Sequence, residues 1–231
     1  MATSNTYSYN PSLGEIVLYA YNLIGIRPTS LLQEHFEAAR MASNMLCASF
    51  SNQGVNLWAV DLVTVPLVND QSTYPVDANT VMILDAYIQS NVTGEDIDRI
   101  IMPVSRTEYA SYPNKDRRGF PTVYWFDRLI SPTVTLWPVP FATSGNQTLK
   151  YYRVRRIQDA NLQNGEQVEV PYLWLDAFAT NLASRLALIW SPDKVAMLKP
   201  LADEAYKIAA SQNVENAQQY ISPMLSGYWR P

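Results

Sequence analysis

Residues 120–156 read FPTVYWFDRLISPTVTLWPVPFATSGNQTLKYYRVRR, and the fold class turns on them. The span packs Tyr124, Trp125, Phe126, Trp137, Phe141, Tyr151 and Tyr152 together, punctuated by Pro121, Pro132, Pro138 and Pro140. Val134 and Leu136 alternate with Thr133, Thr135 and Trp137, the two-residue period of a half-buried strand. A second alternating run, residues 149–155, follows Ser144-Gly145-Asn146, a turn sequence because Gly and Asn tolerate positive φ at little steric cost. The simplest expectation is two antiparallel strands joined by a loop, at the heart of a β-rich part.

Upstream, the period is helical. Ser12 and Glu15 form a capping box, Ile16, Tyr19, Ala20 and Leu23 fall on one face, and Gly25 suits the left-handed end of a helix. Ser30 and Gln33 repeat the capping arrangement for a second helix through Phe36, Ala39, Ser43, Leu46 and Phe50, and the short link predicts an antiparallel helical hairpin. From Val55 the period changes: residues 57–68 and 81–88 read as strands, residues 96–102 as a strand or a short helix, and residues 105–119 as a polar loop with a helical turn. Residues 167–170 read as a brief strand. Pro171 then sits where a third helix begins, and Ser191-Pro192 starts a fourth that contains Pro200. The expectation is an α+β fold: a four-helix domain split in sequence around an inserted antiparallel β-rich domain, sandwich- or barrel-like, with an extended C-terminal tail. The segments are 11–55 (helical), 56–170 (β-rich), 171–219 (two helices) and 220–231 (tail).

Composition narrows the function. Of 231 residues, 48% are hydrophobic, enough for a sizeable core, whereas 16% are charged, well below the usual quarter. Fifteen Tyr and six Trp suit surfaces that are part apolar and part wet. A net charge of -4 argues against gripping nucleic acid by neutralising phosphates, though not against a wall that DNA slides past. One cysteine, Cys47, excludes a disulfide framework and any multi-cysteine metal site. The polar start MATSNTYSYNPS lacks the pattern of a signal peptide, and no apolar run reaches membrane-spanning length, so a soluble, cytosolically made chain is expected.

Catalysis finds little footing. The single histidine, His35, is expected on a helix surface beside Glu34 and Glu37, with no G-x-S-x-G or similar nucleophile motif to serve. Cys47 reads as a small buried hydrophobe. Asp96 with Asp98, or Asp85 with Asp127, are carboxylate pairs of the kind every chain this size contains. No Walker loop, dinucleotide fingerprint or zinc or calcium motif is present, and no cofactor is expected. Two basic clusters, Lys115-Arg117-Arg118 and Lys150-Arg153-Arg155-Arg156, are expected at strand ends or in salt bridges between subunits, not in a phosphate track. The C-terminal tail carries Tyr220, Ile221, Met224, Leu225, Tyr228, Trp229 and Arg230 without helical period, residue types that dominate interface hot spots; docking on a partner or folding back on its own subunit are both open.

One set of landmarks runs through most of the chain. It comprises Tyr21-Asn22-Leu23-Ile24-Gly25, Ala38-Ala39-Arg40 with Asn44-Met45-Leu46, Gly54-Val55-Asn56-Leu57-Trp58 and Tyr74-Pro75-Val76. It continues with Ser105-Arg106-x-Glu108-Tyr109, Pro113-Asn114-Lys115, Gly119-x-Pro121, Leu136-Trp137-Pro138-x-Pro140, Val170-Pro171-x-x-Trp174 and Asn181-Leu182-Ala183-x-Arg185-Leu186-Ala187. In order and spacing the chain resembles the head-to-tail adaptor, or head-completion, proteins of short-tailed bacteriophages. The resemblance implies a non-enzymatic virion protein, made in the host cytoplasm, that forms a homo-oligomeric ring, usually a dodecamer, beneath the portal protein. Such a ring extends the DNA channel, helps retain packaged DNA without sequence-specific binding, and offers a platform for tail nozzle and fibre proteins; no membrane is involved. It further implies helices toward the portal, the β-rich part toward the tail, and a C-terminal segment that grips the portal. The loop bearing Tyr109, Tyr112, Lys115, Arg117 and Arg118 is then a candidate tail-facing contact. Two other readings stand beside it: a carbohydrate-binding or fibre-attachment module built on the aromatic centre, and a virion-associated cell-wall hydrolase.

Overall fold

Ser12 sets the first helix as its sequence predicts. In a computed structural model, which describes residues 3–54, 56–92, 94–141, 147–162 and 165–214, the Ser12 hydroxyl accepts the Glu15 amide at 3.3 Å and the Glu15 carboxylate accepts the Ser12 amide at 2.8 Å. Helix α1, Leu13–Leu23, then buries Leu13, Ile16, Val17, Ala20 and Tyr21. It ends in paired bonds, Gly25 N–H to Asn22 carbonyl at 3.0 Å and Ile26 N–H to Tyr21 carbonyl at 2.9 Å, which require the left-handed φ of +83° at Gly25.

Helix α2, Gln33–Gln53, starts differently from expectation. The Ser30 hydroxyl turns back to the Arg27 carbonyl within a short 3-10 turn, and His35 Nδ1 accepts the Leu32 amide at 3.1 Å. The histidine is therefore not on the surface. It is buried, stacked on Trp190 with ring centroids 4.2 Å apart and edge-on to Tyr21 at 5.5 Å, while the Tyr21 hydroxyl donates to the His35 carbonyl. The predicted helical hairpin is also absent. Helix α4, Leu175–Trp190, has a broad apolar surface, and α1, α2 and α5 (Val195–Gln212) each pack on it in preference to packing along one another. Helix α5 runs through Pro200, its sixth residue, and so forgoes the bond that an amide there would make to the Ala196 carbonyl. Phe178, Leu182 and Leu186 of α4 are fully buried in this helical core.

The strands build a second core. Strands β1 (Val60–Pro66), β2 (Thr73–Pro75), β3 (Thr80–Val92), β4 (Glu95–Pro103), β6 (Val123–Asp127), β7 (Thr133–Trp137) and β9 (Gln147–Arg155) form one sheet in the order β1-β9-β3-β4-β6-β7-β2, curled into a half-barrel. Strands β5 (Arg118–Gly119) and β8 (Val139–Pro140) pair separately. Residues 96–102 thus belong to a strand, and the helical turn in the 105–119 loop is α3, Arg106–Ser111, a fifth α-helix among the described residues.

Three expectations need correction. The fold is α+β, but its sheet is mixed: β4 runs parallel to β6, and β5 to β8. The two alternating runs of the opening stretch are not partners. β7 pairs with β6 and β2, whereas both edges of β9 are already taken by β1 and β3. Residues 167–170 form no strand: the Val170 amide bonds locally to the Val168 carbonyl at 2.8 Å, and both valines insert into the helical core. The residue between them, Glu169, faces the other way and locks the connection. Its carboxylate accepts two bonds from the Arg155 guanidinium, one at 2.8 Å, and one from the Gln158 amide at 2.9 Å. Its carbonyl accepts from the Trp58 indole at 3.1 Å. The tail, residues 220–231, and the turn at residues 144–146 lie outside the described residues, and no helix among those described is long and apolar enough to cross a membrane.

Candidate functional site

The alternation of β6 and β7 decides which aromatics reach the surface. Tyr124, Phe126, Val134 and Leu136 point into the β core, so Trp125 and Trp137 stand on the opposite face. The register pairs Trp125 with Thr135 and Trp137 with Val123, which leaves the two indoles as diagonal neighbours. Helix α3 lies over them. Ser105 caps it by accepting the Glu108 amide at 3.1 Å, and Tyr109 stacks on Trp125 at 5.4 Å. Tyr112, just past the helix end, stacks on Trp137 at 4.4 Å, and the Trp137 indole donates to the Asn114 carbonyl at 2.9 Å.

The loop's cations complete this clasp. Lys115 donates to the Ala110 and Tyr112 carbonyls at 3.1 and 3.0 Å, closing the C-terminal end of α3, and its ammonium sits 5.4 Å from the Tyr109 ring centre. The Arg117 guanidinium lies over Trp137, and Arg118 lies over Phe141 while pairing with Asp70 at 2.7 Å. Burial raises the Tyr109 hydroxyl above its ordinary range, with Asp116 adding to the shift, so it stays neutral and uncharged within the stack. The five residues singled out from sequence, Tyr109, Tyr112, Lys115, Arg117 and Arg118, are brought together here. Sequence reasoning missed that Trp125 and Trp137 belong to the same patch; the i, i+3 spacing of Tyr109 and Tyr112 was the available signal.

An open sugar platform would need free aromatic faces, yet Trp125 and Trp137 are each stacked by a tyrosine of the same chain. The three arginines of the second basic cluster are likewise committed within the chain. Arg153 pairs with Asp61 at 2.7 Å and Asp77 at 2.9 Å, Arg155 with Glu169, and Arg156 with Asp159 at 2.6 Å. Arg155 holds the Glu169 carboxyl below its ordinary range, and the Asn79 amide followed by Arg153 does the same for Asp77. These guanidiniums cross-brace the sheet and its connection to the helices, within one subunit and not between subunits.

Groups that chemistry would use are scattered. Cys47 is buried, and burial, with Asp159 adding, pushes its thiol up to about 11, far from the reactive thiolate range. Asp96 and Asp98 are exposed on β4, where Asp96 accepts the Asn91 amide at 2.8 Å; Asp85 is exposed on β3. No group of three His, Cys, Asp or Glu side chains that could hold a metal occurs among the described residues.

What the surface offers instead is apolar area on helices. Met41 and Met45 of α2 and Met197, Leu201 and Ile208 of α5 are each more than half exposed, an arrangement suited to protein partners. A search of curated proteins gives no match. The family model described as SU10 adaptor protein matches residues 33–222, spanning α2, the whole half-barrel and both later helices. The chain belongs to the SU10 adaptor family and is a structural head-to-tail adaptor of bacteriophage virions.

Proposed function

We propose that the subunit forms a closed ring beneath the portal, extending the DNA channel, helping to retain the packaged genome and docking the tail nozzle and fibres. Assembly with portal and tail components follows from the family; the ring, its twelvefold count and the individual contacts are this reading's own. The observation that carries it is the exposed apolar surface of α2 and α5, which a monomer in water has no use for but neighbouring subunits would cover. The helical unit, 11–55 with 171–219, faces the portal and the β unit, 56–170, faces the tail. The 105–119 clasp, with Tyr109, Tyr112, Lys115, Arg117 and Arg118 on one rigid platform, is the tail-facing contact. The tail segment grips the portal through Tyr220, Ile221, Met224, Leu225, Tyr228, Trp229 and Arg230. The acidic balance and the internally paired arginines favour a lumen past which DNA slides without being held.

Co-sedimentation with portal particles tests this. Wild-type protein is expected in the pellet, and protein lacking residues 220–231 is expected to stay folded in the supernatant. Equal pelleting of both removes the tail from the interface, and failure of the wild type to pellet contradicts the ring reading.

A further inference from the structure

Helices α2 and α5 each present exposed apolar residues along one flank. On α5, Met197, Leu201 and Ile208 recur at steps of four and seven, a single stripe on a flank of the helix, with Glu204 and Lys207 beside it. The opposite flank, bearing Lys199, Asp203 and Tyr206, faces α2 and α4 of its own subunit. On α2, Met41 and Met45 point outward next to Glu37 and Arg40, and Arg40 and Met41 border a groove of about 1040 Å³ between α2 and residues 159–162. Phe36, Ala160 and Leu162 give the groove an apolar floor.

Laid antiparallel, the two helices match over three turns. Lys207 falls opposite Glu37, Glu204 opposite Arg40, Leu201 opposite Met45 and Met197 opposite Ala48, in steps of three or four residues along α5 and three to five along α2. The overlap is about 16 Å at the rise of an α-helix. Arg40, Glu204 and Lys207 have no ion-pair partner among the described residues, so these charges are open to a neighbour. We infer that α5 of one subunit docks antiparallel on the α2 groove of a second copy, head to tail. The two faces differ and lie on different sides of the subunit, so the contact leaves one free face of each kind and propagates, which a ring requires and a two-fold dimer does not. This pairing rests on the ring reading and specifies its interface.

Two blocked variants test it: Met41→Asp with Met45→Asp on α2, and Leu201→Asp with Ile208→Asp on α5. Assembly is followed by sedimentation velocity with and without portal particles, and folding by circular dichroism. Each variant alone is expected to remain monomeric, while an equimolar mixture forms dimers, because one intact face of each kind remains. Glu37→Lys and Lys207→Glu, milder changes on exposed side chains, are each expected to weaken association about tenfold, and the double exchange to restore it. Rings formed by each blocked variant alone, or a double exchange no better than the singles, overturn the pairing while leaving the ring standing. A blocked α5 that lowers thermal stability without affecting assembly shows the stripe to be covered by its own chain, and also overturns it. A wild type that never self-associates, even on portal particles, overturns the pairing and the ring together.

Discussion

Glu169→Gln probes the joint between the half-barrel and the helices. The carboxylate holds Arg155 at the end of β9 through two bonds and the Gln158 amide through a third, with both side chains about three-quarters buried. Glutamine keeps the shape but supplies one acceptor oxygen where two are used, and sets an amide N–H against a guanidinium. A hydrogen bond to a charged group contributes about 1.5–3 kcal/mol when protected, while an exposed ion pair gives about 0–1. Partial exposure places the cost between these, about 1–2 kcal/mol. At about 2–4 °C per kcal/mol for a chain this long, thermal unfolding should shift down by about 2–8 °C. The cost should depend on pH. Glu169 titrates below its ordinary 4.5 in the folded protein, so its contribution is complete above that value and disappears as pH falls through the folded pKa. The assay is denaturant unfolding of both proteins at pH 7 and at successive acid steps. A difference that converges toward zero in acid supports the reasoning; no difference at pH 7, or an equal one at both ends, refutes an ionic joint.

Removing the Trp137 indole takes away the Tyr112 stack and the bond to the Asn114 carbonyl. Trp137→Ala should cost about 2 kcal/mol, below a full core truncation because the ring is only half-buried, and should expose Arg117 and Arg118 to trypsin; unchanged cleavage would show that α3 holds itself. His35→Ala removes the cap on Leu32 and the Trp190 stack, and should destabilise by about 2 kcal/mol in chemical denaturation, whereas a surface histidine would cost nearly nothing. The isolated subunit should bind double-stranded DNA weakly, with little dependence on salt. Tight binding that falls steeply between low and physiological salt would contradict a lumen past which DNA slides.

Local signals were legible where local physics decides. Ser12, Glu15 and Gly25 announced α1 because a cap and a left-handed terminus are complete within a few residues, and the alternation of 133–137 and 149–155 announced strands because a pleat shows in the sequence. Pairing was not legible. Nothing in residues 147–155 records that β9 is flanked by β1 and β3, strands taken from a part of the chain some 60 to 90 residues earlier. The parallel contact of β4 with β6 covers two residue pairs and leaves no periodicity to detect. His35 was misplaced because its neighbours Glu34 and Glu37 are exposed; what buries it is Trp190, from the far end of α4. In the candidate site, the loop residues were visible as aromatics among cations, but their partners on β6 and β7 emerge only from sheet register.

Electron microscopy of portal particles incubated with the purified subunit would reveal directly whether the subunits close into a ring. A continuous ring of copies beneath the portal is expected, with helices toward it and the half-barrel away from it. Particles carrying isolated subunits, or none, would contradict it.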